Sequence, residues 1–181
     1  KDAYIIGIKE LPTSEKSLTH QHIYFAHAYK GQKGAEQLLA RFKNGKGFLY
    51  DYEFLTNDKG RRITAFSYWA GITGCAITLL IWLQKCKNIN NIEIPEFYPN
   101  KSEVIETIKQ GLNNHNRPSS LVIGARGECA RGVITFLEKV GLDATLWNRE
   151  ETKGRKNYPE IFQHNLLFNC VNITAPLEPF I

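Results

Sequence analysis

Leu121–Val122–Ile123–Gly124–Ala125–Arg126–Gly127–Glu128–Cys129–Ala130 runs from an apolar, strand-like segment into two closely spaced glycines. A helical pattern follows, with Val133, Phe136, Leu137 and Val140 at helical spacing. This is how a dinucleotide-binding strand–turn–helix reads. The strand delivers the chain to the edge of a sheet, and a tight turn lets backbone approach a pyrophosphate. The next helix then points its first N–H groups at the phosphate. Gly124 and Gly127 fill the glycine positions, and Ala130 is small enough for the third, where helix and strand pack closely.

The flanks agree with that reading. Polar Arg117–Pro118–Ser119–Ser120 leads in, and a second strand, Ala144–Thr145–Leu146–Trp147, comes about 20 residues after the turn, the usual interval. Asn148–Arg149–Glu150–Glu151–Thr152 follows, where a ribose-binding residue belongs, and Leu166–Leu167–Phe168–Asn169–Cys170 reads as a third strand. A full nucleotide fold uses more strands than these. The expectation is a partial Rossmann-like domain in an α/β chain that is an internal piece of a longer enzyme.

Upstream, Tyr4–Ile5–Ile6–Gly7–Ile8 and Ile23–Tyr24–Phe25–Ala26 read as buried strands, the second ending at His27. A short amphipathic helix over 34–42 stops at Gly45–Lys46–Gly47, a strand covers 48–54, and Asn57–Asp58–Lys59–Gly60 is a turn. A long apolar helix over 64–85, a polar connector over 87–100 and a helix over 102–112 complete the pattern. The expected division is a partial α/β substrate domain over 1–65 and the partial dinucleotide-binding domain over 66–181.

The 181 residues are 43% hydrophobic and 23% charged, ordinary for a globular protein, with a net charge of +5. The basic residues are scattered and do not interleave with aromatics, which argues against a nucleic-acid partner. Four cysteines stand far apart, in neither disulfide-framework nor metal-finger spacing. They read as reduced thiols, which points to the cytoplasm, with an organelle left open. Cys129 falls at a helix start, where a thiolate is favoured; a small buried residue is the other reading. Residues 63–83 carry no charge and are long enough to span a bilayer. Their small residues Ala70, Gly71, Gly74 and Cys75 suit close packing against another helix, so a helix buried between domains is expected and no membrane. His20, His22 and His27 have a possible ligand spacing, but no metal is expected.

Lys9 and His27, each at a strand end, make a possible acid–base pair. Glu10 and Glu53 beside them favour the charged forms.

Four blocks then resemble a known family: Gly7–Ile8–Lys9–Glu10–Leu11–Pro12, Phe25–Ala26–His27–Ala28–Tyr29–Lys30, Leu49–Tyr50–Asp51–Tyr52–Glu53–Phe54–Leu55 and Asn57–Asp58–Lys59–Gly60–Arg61–Arg62. In that order and spacing they are similar to the NAD-dependent, lysine-forming saccharopine dehydrogenases of the alanine dehydrogenase and transhydrogenase group. The resemblance implies two nucleotide-fold domains around a cleft, and a monomer. The implied reaction oxidises the secondary amine of saccharopine by hydride transfer to NAD, then hydrolyses the imine to lysine and 2-oxoglutarate. It gives Lys9 the role of proton acceptor, His27 that of acid and base in hydrolysis, and Glu10 and Glu53 that of adjusting both. Lys9, Gln32 and Phe66 fall at substrate contacts, and Arg61, Arg62, Gly124, Gly127, Glu128, Asn148 and Thr152 at cofactor contacts. Cys129 and Cys170 match two cysteines that pair on oxidation. Three positions depart from the family pattern. Asn148 replaces an aspartate on the ribose, which with Arg149 leaves NADP open. Glu128 stands where an arginine is usual, and Asn172 replaces a tyrosine. The departures motivate an alternative, a non-catalytic nucleotide-binding or scaffold relative.

Overall fold

The structure, a computed structural model, describes residues 3–87, 91–93, 98–155 and 157–171. Asn172 lies outside them. The chain divides into two compact units, Lys1–Ala65 and Phe66–Ile181. Each contains a three-stranded sheet, and every strand pairing is parallel, which makes the chain α/β.

In the first unit, β1 (Tyr4–Ile6), β2 (Gln21–Tyr24), α1 (Ala35–Gly45) and β3 (Phe48–Asp51) build a sheet in the order β1-β2-β3. Alternation along β2 sends His22 and Tyr24 inward. His22 meets the Phe42 ring of α1 edge-on, centroids 5.2 Å apart, and Tyr24, Ala26 and Phe42 form the core. The opposite face stays bare, with Tyr4, Ile6, Phe48 and Tyr50 exposed. The strand expected over 48–54 ends at Asp51. The Asp51 carboxylate accepts the Glu53 N–H at 3.0 Å and curls the chain into a 3-10 turn, Tyr52–Phe54.

In the second unit, α2 (Ser67–Cys86), α3 (Lys101–Asn113), β4 (Ser120–Ile123), α4 (Glu128–Lys139), β5 (Ala144–Trp147), the short α5 (Arg149–Thr152) and β6 (Leu166–Asn169) follow in turn. The sheet order is β5-β4-β6, with β4 central and buried along its whole length. A continuous apolar run at β4 is the signature of a strand covered on both faces. The helix α2 is long and apolar enough to cross a membrane by length and composition. Its Gly71, Ile72, Cys75, Ala76, Leu79 and Leu83 are buried, in a core shared with α3 and α4. Two glycines set the α2–α4 crossing. A Cβ on Gly71 would lie 2.0 Å from the Cys129 carbonyl oxygen, and one on Gly132 would lie 2.0 Å from that of Tyr68.

Candidate active site

Parallel strands end on one edge of their sheet, and side chains just beyond those ends converge there. In the first unit this edge collects the charged residues. The Phe25 N–H donates to the Ile8 carbonyl at 3.3 Å, carrying the β1–β2 pairing past both strands. Lys9 and Glu10 therefore leave β1 beside Ala26 and His27, which leave β2. The register Tyr24–Asp51 does the same for β3 and brings Glu53 to this edge.

His27 Nδ1 lies 3.1 Å from Glu53 Oε2, off the line of an ideal hydrogen bond, and Arg62 Nη1 lies 3.6 Å from Glu53 Oε1. The Glu53 side chain is only 4% exposed. A buried carboxylate needs compensating charge, and Arg62 and His27 flank its two oxygens. His27 itself adopts a left-handed backbone, φ 52°. For a non-glycine residue that costs about 1–3 kcal/mol and is characteristic of functional sites. Glu10 and Gln32 line a common cavity of about 270 Å³ together with Lys33 and Arg41. Lys9 is exposed. Arg61 donates its N–H to Asn57 Oδ1 at 2.9 Å, which fixes the turn ahead of Arg62. Phe66 stands at the start of α2 in the second unit and accepts the Ala70 N–H at 2.7 Å.

The second unit holds a site made of backbone. Gly124 has φ 79°, and its N–H donates to the Trp147 carbonyl at 2.8 Å, so the turn folds onto the end of β5. Gly127 caps α4 without a side chain. The first N–H groups of a helix lack intrahelical partners, and behind Gly127 no capping side chain takes them up. Asn148 Oδ1 accepts the Arg126 N–H at 3.1 Å, tying the residue after β5 to the turn. Thr152 bonds back to the Asn148 carbonyl at 3.3 Å. Glu128 pairs with Arg131 one turn along α4, which offsets an acid near the expected phosphates. Arg126 pairs with Glu150 at 2.7 Å; this pair and the Arg62–Glu53 contact are not visible from spacing.

Cys129 and Cys170 come close enough for their thiols to influence one another. Burial, then the Cys129 charge, pushes the Cys170 thiol up to about 12. Cys75 on α2 is a third member. Burial, then Cys170, raises its thiol to about 12 as well. Nothing in the spacing of Cys75 foretold its place beside the pair. Among the described residues no cluster has the makings of a metal site.

No family model matches the chain. Individual relatives do. The saccharopine dehydrogenase [NAD(+), L-lysine-forming] of Candida glabrata is 41% identical over 192 residues, covering 100% of this chain and 52% of the relative. The enzyme of the same name from Schizosaccharomyces pombe is 39% identical, covering 99% of this chain and 52% of its own length. The chain is a relative of the saccharopine dehydrogenases. It spans about half the length of those curated relatives. A mitochondrial alpha-aminoadipic semialdehyde synthase from Rattus norvegicus is also similar, 26% identical over 58% of this chain and 12% of its own.

Proposed function

We propose that this chain carries the proton-handling residues and the dinucleotide-binding turn of an NAD-dependent, lysine-forming saccharopine dehydrogenase. The observation that carries the reading is the meeting of His27, Glu53 and Arg62 at one sheet edge, beside the strand end that bears Lys9 and Glu10. The β5-β4-β6 order and the glycine turn ahead of α4 support a Rossmann-like second domain, 66–181, beside a substrate domain, 1–65.

The uncapped start of α4 and the Gly124 turn fit a pyrophosphate, with Asn148 on the ribose and Gly127, Glu128 and Thr152 nearby. NAD, when bound, accepts a hydride from the carbon beside the secondary amine. Lys9, as the neutral amine, takes the amine proton. His27 passes a proton to and from the water that adds to the imine, and Glu53 stabilises the imidazolium that forms. Glu10 adjusts the proton-handling groups, Lys9, Gln32 and Phe66 contact substrate, and Arg61 and Arg62 meet the cofactor; Glu10 and Gln32 line one cavity. All four cysteines are free thiols, which suits the cytoplasm, and we place the protein there as a monomer acting on small molecules.

The test is NADH oxidation with lysine and 2-oxoglutarate. Turnover should require both, and His27→Ala should lower kcat/KM by about 10²–10⁴-fold. Turnover with pyruvate and ammonia in their place would move the protein to the alanine dehydrogenase side. Unchanged turnover in both Lys9→Ala and His27→Ala would favour a non-catalytic relative.

A further inference from the structure

We infer that Glu150, held beside the glycine turn by Arg126, is the residue that selects between the two dinucleotides: it accepts from the adenosine ribose hydroxyls and keeps a 2′-phosphate away. The inference rests on the reading of this turn as a dinucleotide site, and it gives that site an acid which position 148 lacks. An acid just beyond the second strand binds the ribose 2′-hydroxyl, whereas an arginine nearby accommodates a 2′-phosphate. Here the position is Asn148, followed at once by Arg149, and the pair by itself leaves the choice open. The structure places an acid two residues later. The Arg126 N–H donates to Asn148 Oδ1 at 3.1 Å, and Arg126 Nη1 lies 2.7 Å from Glu150 Oε1. Backbone and side chain of one turn residue thus clasp the segment after β5, and the Glu150 carboxylate is drawn to the turn.

The neighbouring groups are engaged elsewhere. Asn148 Oδ1 already accepts from the turn, and a neutral amide has no charge with which to repel a phosphate. The Glu151 carboxylate accepts the Asn148 N–H and so serves the start of α5. Glu128 pairs with Arg131 along α4. The Glu150 side chain is 57% exposed, open to a ligand at the turn. Its own backbone N–H, then the Arg126 guanidinium, hold its carboxyl below the usual carboxylate range, so it is an anion at neutral pH. A ribose offers that anion two hydroxyl donors. A 2′-phosphate instead sets a second negative group against it and competes with it for Arg126. The same pairing lets Arg126, a cation at the turn, stand there without favouring the phosphorylated cofactor, because its charge is matched by Glu150.

The test is isothermal titration calorimetry of the chain with ADP-ribose and with 2′-phospho-ADP-ribose, which carry the adenosine half of each cofactor and no nicotinamide. The wild type should bind ADP-ribose at least about tenfold more tightly than its 2′-phosphate. Glu150→Gln, a change at an exposed side chain, should bring the two affinities within about threefold, weakening the first and strengthening the second. Adding Arg126→Gln to Glu150→Gln should remove the gain for the 2′-phosphate, since Arg126 is then the group that receives it. Equal or tighter binding of the 2′-phosphate by the wild type overturns the inference, whatever the variants do. So does a folded Glu150→Gln with the wild-type ratio; either result leaves the dinucleotide site in place. Binding of neither ligand overturns the reading of the turn and the inference with it. The readout is independent of turnover: the expected ratios without lysine-dependent NADH oxidation would count against the enzymatic reading alone.

Discussion

The two sheets share a construction and differ in what they carry at their carboxyl edges. In β1-β2-β3 the edge holds side-chain charges: Lys9, Glu10, His27 and Glu53, with Arg62 folded back from a loop. In β5-β4-β6 it holds backbone: a glycine turn and the bare start of a 12-residue helix. The covering differs as well. The central strand of the second sheet is wholly buried and backed by α2 and α4, whereas in the first sheet Tyr24 and Ala26 pack with Phe42, and Tyr4, Ile6, Phe48 and Tyr50 are exposed. The contrast follows from the work proposed for each. Holding a pyrophosphate needs fixed N–H groups, and those need a rigid frame. Moving protons needs titratable groups whose partners set their charge, and a few contacts suffice.

Rigidity in the second unit should therefore be brittle. Gly132→Val forces a side chain into the Tyr68 carbonyl, where even a Cβ would lie at 2.0 Å. The expected loss is about 3 kcal/mol in denaturant unfolding, with the His27 resonances unmoved. A milder change at the glycine turn should cost less. Gly124→Ala places a Cβ in a left-handed conformation, 3.1 Å from the Cys170 backbone. It should cost about 1–2 kcal/mol and weaken dinucleotide binding, measured by NADH fluorescence titration.

Alkali should have the smallest and most gradual effect, and it should reach both units. Cys75 and Cys170 titrate near 9.0 in an unfolded chain and are pushed up to about 12 by burial. Raised values mean that the folded state keeps the protons longer. Their contribution is whole below pH 9 and lost as pH rises towards 12. Tyr24 in the first unit, with a phenol ordinarily near 10.0 and raised to about 12 mainly by burial, follows from pH 10. Stepwise alkaline titration should leave both thiols unreactive, and Tyr24 without tyrosinate, until the pH approaches 12. Reaction of either thiol near pH 9 in the folded chain would contradict that burial.

How far each unit could be read in advance follows the same division. The glycine turn and its helix are legible because their requirements lie within ten consecutive residues, 121–130. Strands and helices follow the expected pattern, with differences at the ends, but β1, expected to be buried, is exposed. The helix expected to stop before Gly45 runs through it, because the absence of a side chain lets it pass the Leu18 carbonyl, 2.1 Å from where a Cβ would sit. Lys9 and His27 are legible as strand-end residues. Their neighbours are not, because Arg62 reaches Glu53 through a turn whose closure depends on Asn57, and Cys75 reaches Cys170 across most of the length of the second unit. Side-chain contacts of that separation leave no periodic trace.

The central claim is that His27 and Glu53 act as one chemical unit at the edge of the first sheet, and a double-mutant cycle tests it most directly. Measured as lysine- and 2-oxoglutarate-dependent NADH oxidation, Glu53→Gln and His27→Ala should each lower kcat/KM. The double variant should lose no more than His27→Ala alone, as expected for groups working through one another. Losses that multiply would mean that the two residues act separately and would contradict the account.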